Sequence, residues 1–248
     1  MSISENQMVV VVTGATRGIG LAAVHRFTRD GWKVISCSRG KPPPAFIKNP
    51  LWIEHFEADL SVREEVADFT KKAVALVGKT GLNALVNNAA ESPKAEYHER
   101  LGCLNGDLDA WREVFELNFF TPLLLSRGFA SALHKQLGAI VNVTSIAAHA
   151  IHPFAGSAYS TSKSALSSLT REMANEFAEL GIRVNAVAPG EVRTQMIGPE
   201  YDALIPRIPL NRMGTAEEVA AVIYQLCNNE FSYVTGSEIF VTGGQHLF

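Results

Sequence analysis

The run Met8-Val9-Val10-Val11-Val12 passes directly into Thr13-Gly14-Ala15-Thr16-Arg17-Gly18-Ile19-Gly20, and this junction constrains the fold more than any other stretch of the chain. Four consecutive valines without polar alternation fit a strand buried on both faces, as in a parallel sheet covered by helices. Three glycines spaced G-x-x-x-G-x-G then allow a tight backbone turn, and the amphipathic stretch Leu21 to Arg29 follows, ending at Asp30-Gly31. Strand, glycine turn and helix in this order form a phosphate-binding arrangement. The helix N-terminus offers unpaired N–H groups and the positive end of its dipole, and glycine lets a pyrophosphate come close. Taken alone, such a turn is often no more than a turn, so the rest of the chain has to decide.

Further apolar runs lie at Lys33 to Cys37, Trp52 to Glu57, Asn83 to Val86, Ala139 to Val143, Arg183 to Val187 and Glu238 to Val241. Helical patterns separate them at Val62 to Val77, Asp109 to Leu137, Ala158 to Leu180 and Thr215 to Cys227, the last opening on Thr215-Ala216-Glu217-Glu218 with acids in its first turn. The alternation predicts an α/β doubly wound parallel sheet of about seven strands with helices on both faces. With 248 residues and no repeat, low-complexity tail or long linker, the chain reads as one domain over 1–248. Gly40-Lys41-Pro42-Pro43-Pro44 cannot be helix interior, so the crossover from the second strand to the third reads as a short loop with at most a stub of helix.

Composition narrows the function classes. A net charge of −3 argues against a nucleic-acid or anionic-membrane binder, because both need a basic surface. Three cysteines, Cys37, Cys103 and Cys227, are an odd number without metal-like spacing, which argues against a disulfide scaffold and suits a reducing compartment. The start, MSISENQ, has no basic or long apolar region of a signal peptide. The charge-free stretch Gln136 to Ser162 contains Pro153, two histidines, two glycines and many hydroxyls, so it is no membrane span. A soluble cytoplasmic protein is expected.

Thr13-Gly14-x-x-x-Gly18-Ile19-Gly20 resembles the cofactor fingerprint of the short-chain dehydrogenase/reductase family, in its short single-domain branch. Asn87-Asn88-Ala89-Ala90, Asn118, Ser145, Tyr159-x-x-x-Lys163 and Pro189-Gly190 resemble that family's later motifs, in the same order and over nearly the whole chain. The resemblance extends to 3-oxoacyl-[acyl-carrier-protein] reductase-like members and implies a Rossmann fold. Ala90 stands where the family usually has glycine, which a φ below zero would tolerate. The proline-rich loop after Arg39 is a second departure, at the outer rim of the adenosine pocket.

The resemblance assigns cofactor contacts to Gly14, Thr16, Arg17, Gly18, Ile19, Gly20, Ser38, Arg39, Asp59, Leu60, Asn88, Ala89, Ala90, Tyr159, Lys163, Pro189, Gly190, Val192 and Thr194. Asp59 is also readable as a helix cap or turn residue, and the Pro189-Gly190 pair as a turn. Charge selects the dinucleotide. A carboxylate at the end of the second strand would suit NAD, but Ser38 and Arg39 stand there, and a hydroxyl with a guanidinium suits a 2′-phosphate. With Arg17 inside the glycine loop, NADP(H) is expected over NAD(H).

Tyr159 and Lys163 lie four residues apart and share one helix face. A phenol with pKa about 10 is a sluggish proton relay at neutral pH, and bringing it to about 7 needs roughly 4 kcal/mol, which a nearby ammonium and a nicotinamide cation are expected to supply. By resemblance, Ser145 holds the substrate oxygen, Asn118 holds a water against Lys163, and Lys163 bonds the nicotinamide ribose. The expected activity is carbonyl–alcohol interconversion on a small or lipid-like molecule. Two alternatives are 3-oxoacyl-[acyl-carrier-protein] reduction and a non-catalytic NADPH-binding regulator. Arg171 to Glu179, one arginine against three glutamates, suits an acidic carrier protein poorly.

His149, His152 and Phe154 read as pocket wall or surface, with no third ligand for a metal. Cys103 reads as pocket lining or a surface thiol. The segment 191–213 resembles the family's substrate lid. Phe119, Phe120, Leu123, Leu124, Phe129 and Leu133 exceed one sheet-facing stripe, and the family resemblance implies a homotetramer or homodimer.

Overall fold

A computed structural model of the chain describes residues 7–44, 48–94, 100–195 and 197–247. At its centre β1 (Val9–Thr13) is buried along its whole length. Val9 and Val11 pack into one core and Val10 and Val12 into another, so the unbroken valine run is a period-two strand covered on both faces. β2 (Lys33–Ser38), β3 (Trp52–Glu57), β4 (Ala84–Asn87), β5 (Ala139–Val143), β6 (Arg183–Pro189) and β7 (Glu238–Val241) complete one sheet. Its order is β3-β2-β1-β4-β5-β6-β7 and every pair is parallel. The order reverses between β1 and β4, and a doubly wound sheet opens its ligand crevice at the carboxyl ends of the strands there.

The helices are α1 (Gly18–Arg29), α2 (Arg63–Val77), α3 (Leu108–Phe115), α4 (Thr121–His134), α5 (Ser157–Phe177) and α6 (Ala216–Cys227). Phe69 of α2, Phe129 and Leu133 of α4, and Met173 and Phe177 of α5 fill the core on one face. Val24 and Phe27 of α1 with Val219, Ile223 and Leu226 of α6 fill the other. Helices on both faces explain why the central strands lack polar alternation.

The pattern expected as one helix from Asp109 to Leu137 is divided. α3 runs into a π-helical turn, Glu116–Phe120, before α4 begins. Pro122 lacks the N–H that an unbroken α-helix would give to the Asn118 carbonyl, and the ladder widens just ahead of it. α5 stops in a 3₁₀ turn, Ala178–Leu180, followed by Gly181 at φ +68°. Thr215 caps α6 in a reciprocal pair with Glu218, as the acid-rich start suggested. The proline-rich crossover lies partly outside the described residues, and 41–43 are irregular. Among the described residues no helix is long and apolar enough to cross a membrane.

Candidate active site

The glycines of the first loop serve different ends. Gly14 and Gly18 have φ of +64° and +54°, a left-handed backbone that side chains rarely adopt. Gly20 is excluded from substitution by space, since a Cβ there would lie 2.2 Å from the Gly14 carbonyl oxygen. α1 thus starts against the turn, and its N-terminus opens into a cleft of about 350 Å³. Gly14, Thr16, Arg17, Gly18 and Ile19 form one side, and Ser38, Arg39, Asp59 and Leu60 the outer rim. Asn88, Ala89, Ala90 and Thr194 close the inner end. Ala90 is outside the left-handed region, so its methyl is accommodated.

Thr13, quoted in the glycine fingerprint but given no role of its own, ties this cleft together. Its hydroxyl accepts the backbone N–H groups of Asn88 and Ala89, each at 3.0 Å. The Asn88 side chain answers by donating to the carbonyls of Thr13 at 2.9 Å and Gly14 at 3.2 Å. The ends of β1 and β4 are therefore stitched where the strand order reverses.

At the rim, the Ser38 hydroxyl donates to the Gly40 carbonyl at 2.7 Å, and a His55 ring nitrogen lies 3.0 Å from the same oxygen. The Arg39 guanidinium is largely exposed and 3.9 Å from the Glu91 carboxylate. Asp59 accepts from both the N–H and the hydroxyl of Ser61, at 3.0 and 2.7 Å, while it also lines the cleft. It is a turn residue and a cleft residue at once.

Beyond the inner end of the cleft lies a smaller cavity, about 140 Å³, lined by Ser145, Tyr159 and Lys163 together with Pro189, Gly190 and Val192. α5 sets Tyr159 and Lys163 one turn apart beside the end of β5. Lys163 is fully buried, and its ammonium donates to the Val143 carbonyl at 2.6 Å. Desolvation lowers its pKa to about 7. Ser145 follows β5, and its hydroxyl accepts the Ala147 N–H at 3.1 Å.

The phenol differs from expectation. Burial, helped by the charge of Glu191, raises the Tyr159 pKa above its ordinary value, and the Ser145 hydrogen bond only partly offsets this. The Lys163 ammonium lies 5.8 Å from the ring centroid and is turned to a carbonyl. The chain's own groups therefore hold the phenol protonated, and lowering it toward neutrality falls to a cation brought by a ligand.

Asn118, at the centre of the π-helical turn, is completely buried. It accepts the Glu91 N–H at 3.0 Å, donates to the Glu91 carbonyl at 3.0 Å and to Ser162 of α5 at 3.1 Å. It fixes the strand-end loop against α5, and its side-chain bonds go to these groups and not to Lys163. π-turns recur at functional sites because they aim one side chain inward.

The opposite wall contains residues that sequence reasoning only partly found. His152 is buried and 2.7 Å from the Glu191 carboxylate, which is also buried. Tyr201, from the 3₁₀ helix Pro199–Arg207 of the segment expected to be a lid, lies over the His152 ring with centroids 5.7 Å apart. That segment's base is fixed by the Gly214 N–H donating to the Glu191 carbonyl at 2.9 Å. Glu191 was passed over although a carboxylate inside the apolar run Val184 to Val192 is an anomaly in itself. His149 is elsewhere, 3.0 Å from Glu238, and Cys103 is exposed.

The family described as enoyl-(acyl carrier protein) reductase matches residues 14–246. The chain belongs to the short-chain dehydrogenase/reductase family. It is 47% identical to the protein FixR of Bradyrhizobium diazoefficiens, across 96% of this chain and 87% of that protein. It is 33% identical to the 3-oxoacyl-[acyl-carrier-protein] reductase FabG of Aquifex aeolicus, across 98% and 99%. A Brucella ovis oxidoreductase of the family, solved with a partially ordered NAD, superposes with a TM-score of 0.79 at 43% identity, covering 96% of this chain and all of that one. As a family member the protein is an oxidoreductase of CH–OH groups that uses a nicotinamide dinucleotide, and the glycine cradle, too tight for a Cβ at Gly20, fits that group.

Proposed function

We propose that the protein interconverts a carbonyl and a secondary alcohol with NADP(H) in preference to NAD(H). The observation that carries this reading is the convergence of Ser145, Tyr159 and Lys163 on one cavity that adjoins the glycine-loop cleft. The dinucleotide supplies or takes up the hydride. Ser145 and Tyr159 hold the substrate oxygen between them. In reduction the neutral phenol gives its proton to the developing alkoxide, and in oxidation it takes one back. Lys163 would hold the nicotinamide ribose, Asn118 keeps the Glu91 loop against α5, and Pro189, Gly190, Val192 and Thr194, which line the same cavity, would border the carboxamide.

The dinucleotide preference rests on charge. No carboxylate stands at the end of β2, and Arg17 and Arg39 border the cleft. Because the Ser38 proton is engaged by the Gly40 carbonyl, the 2′-phosphate is left to the two guanidiniums. The chain acts as one domain, with 191–213 as a lid over the substrate, and as a homotetramer or homodimer in the cytoplasm. Retention of serine, tyrosine and lysine around one cavity favours turnover over a purely regulatory role.

Fluorescence titration of both dinucleotides, followed by a carbonyl panel, tests the reading. Arg39→Ala is expected to weaken NADPH about tenfold to a hundredfold, the size of a charged hydrogen bond, and to leave NADH unchanged. Tyr159→Phe is expected to lower kcat by about 10²–10⁴ with NADPH affinity intact. Equal wild-type affinity for NADPH and NADH would overturn the preference, and NADPH binding without turnover would favour the regulator.

A further inference from the structure

The wall facing Tyr159 and Ser145 contains a buried anion without a cationic partner. His152 Nδ1 accepts the backbone N–H groups of Phe154 and Ala155, at 3.1 and 3.0 Å. Its proton therefore sits on Nε2, which donates to Glu191 Oε1 at 2.7 Å, and the ring is neutral. The Gln245 amide donates to the same Oε1 at 3.1 Å. Among the described residues Glu191 forms no ion pair with a lysine or arginine. Lys94, the other cation on this cavity besides Lys163, donates instead to the Phe154 carbonyl at 2.8 Å.

Both neutral donors thus fall on one oxygen, and among the described residues no hydrogen bond reaches Oε2 of this cavity-lining carboxylate. The cavity, about 140 Å³, admits a small end of a substrate, and Glu191 lines it. Any group that enters must take the place of solvent water at this carboxylate. An alkyl group would strip that water and return no donor, leaving a desolvated charge. A hydroxyl would replace the water bond for bond.

We infer that Glu191, held by His152 and Gln245, is a specificity-determining residue, and that the substrate is a hydroxy carbonyl compound or the matching vicinal diol, with its second hydroxyl donating to Glu191 Oε2. This rests on the carbonyl–alcohol reading above. The same geometry disfavours a carrier-bound 3-oxoacyl chain, whose alkyl and thioester sides beside the 3-oxo group offer no hydrogen-bond donor to a carboxylate. Tyr201 lines the same cavity from the segment 191–213.

The experiment is a comparison of kcat/KM for hydroxyacetone, its isostere butanone, and aminoacetone as the ammonium, in the wild type and in Glu191→Leu and Glu191→Gln, with NADPH affinity as the control for folding. A site built to bond a hydroxyl rejects the analogue lacking it, so wild type should prefer hydroxyacetone over butanone by about 100-fold or more. Glu191→Leu should reduce that preference to within about tenfold. Glu191→Gln keeps Oε1 for His152 and turns an N–H to the cavity. A hydroxyl can accept from that N–H, so most of the preference should survive. An ammonium cannot accept, so a wild-type preference for aminoacetone lost in Glu191→Gln would overturn the hydroxyl in favour of a cation. Turnover of butanone equal to hydroxyacetone would overturn the role of Glu191 and leave the reductase standing. No turnover of any of the three by the wild type would sink the reductase reading and this inference together.

Discussion

The two ends of the active-site crevice are built on different principles. At the dinucleotide end the decisive features are backbone ones: left-handed turns at Gly14 and Gly18, a Gly20 with no room for a Cβ, and the Thr13–Asn88 stitch. They lie within short segments, and each excludes other residues by geometry alone. At the substrate end the wall is made of side chains from distant segments: His152, Glu191 and Tyr201, with Gln245 holding Glu191 from near the other end of the chain. Sterics alone force none of these residue types. The first end is a cradle for one ligand class, and the second can be rewritten without disturbing the sheet.

That contrast breaks first at Gly20. Gly20→Ala would drive a methyl into the Gly14 carbonyl, an overlap that costs about 3 kcal/mol or more in a packed site, with dinucleotide binding lost. Unfolding in urea with NADPH titration checks it, and retained NADPH affinity would remove the cradle from the argument for this end. His152→Ala is the counterpart at the substrate end. It leaves the Phe154 and Ala155 N–H groups and Glu191 without their partner, for a loss of about 2 kcal/mol, and should leave dinucleotide affinity unchanged. A fall in NADPH affinity of the same size as in Gly20→Ala would mean the two ends are not separable.

Lys163 sits between the ends and gives the smallest effect per step. Its native pKa of about 7 lies below the unfolded value of 10.5, so between those limits the unfolded chain holds the extra proton. Stability without dinucleotide should therefore rise with pH from about 7 upward, approaching about 1.4 kcal/mol per pH unit, and be insensitive to this group below it. Lys163→Met should abolish the rise. Parallel denaturation curves for the two proteins across pH 7–9 would place the wild-type lysine in a far wetter site than the structure does.

Much of this was legible before any coordinates. The valine run, the glycine spacing and the strand–helix alternation specify a covered parallel sheet, and all seven of its strands lie within two residues of the expected bounds or match them. The Tyr159–Lys163 spacing places both on one helix face by period alone. The break at Glu116–Phe120 was hidden because its apolar pattern is as good for a continuous helix, and only Pro122 signals it. The upward pKa of Tyr159 in the chain by itself was not legible, because spacing brings an ammonium near in sequence but cannot say how deeply the phenol is buried, that a carbonyl takes the ammonium, or that Glu191 lies across the cavity.

By itself, then, the sequence determined the sheet, the glycine cradle and the helix that presents Tyr159 and Lys163. Each is a local matter of backbone freedom, side-chain period and β-branching. The tertiary structure alone decided where the Lys163 proton points, that Asn118 locks the Glu91 loop to α5, and that His152, Glu191 and Tyr201 meet on one wall with Gln245 holding Glu191. Those are contacts between residues 20 or more apart in the chain, except where His152 fixes its own neighbours, and their energy depends on burial and partners that no local pattern encodes.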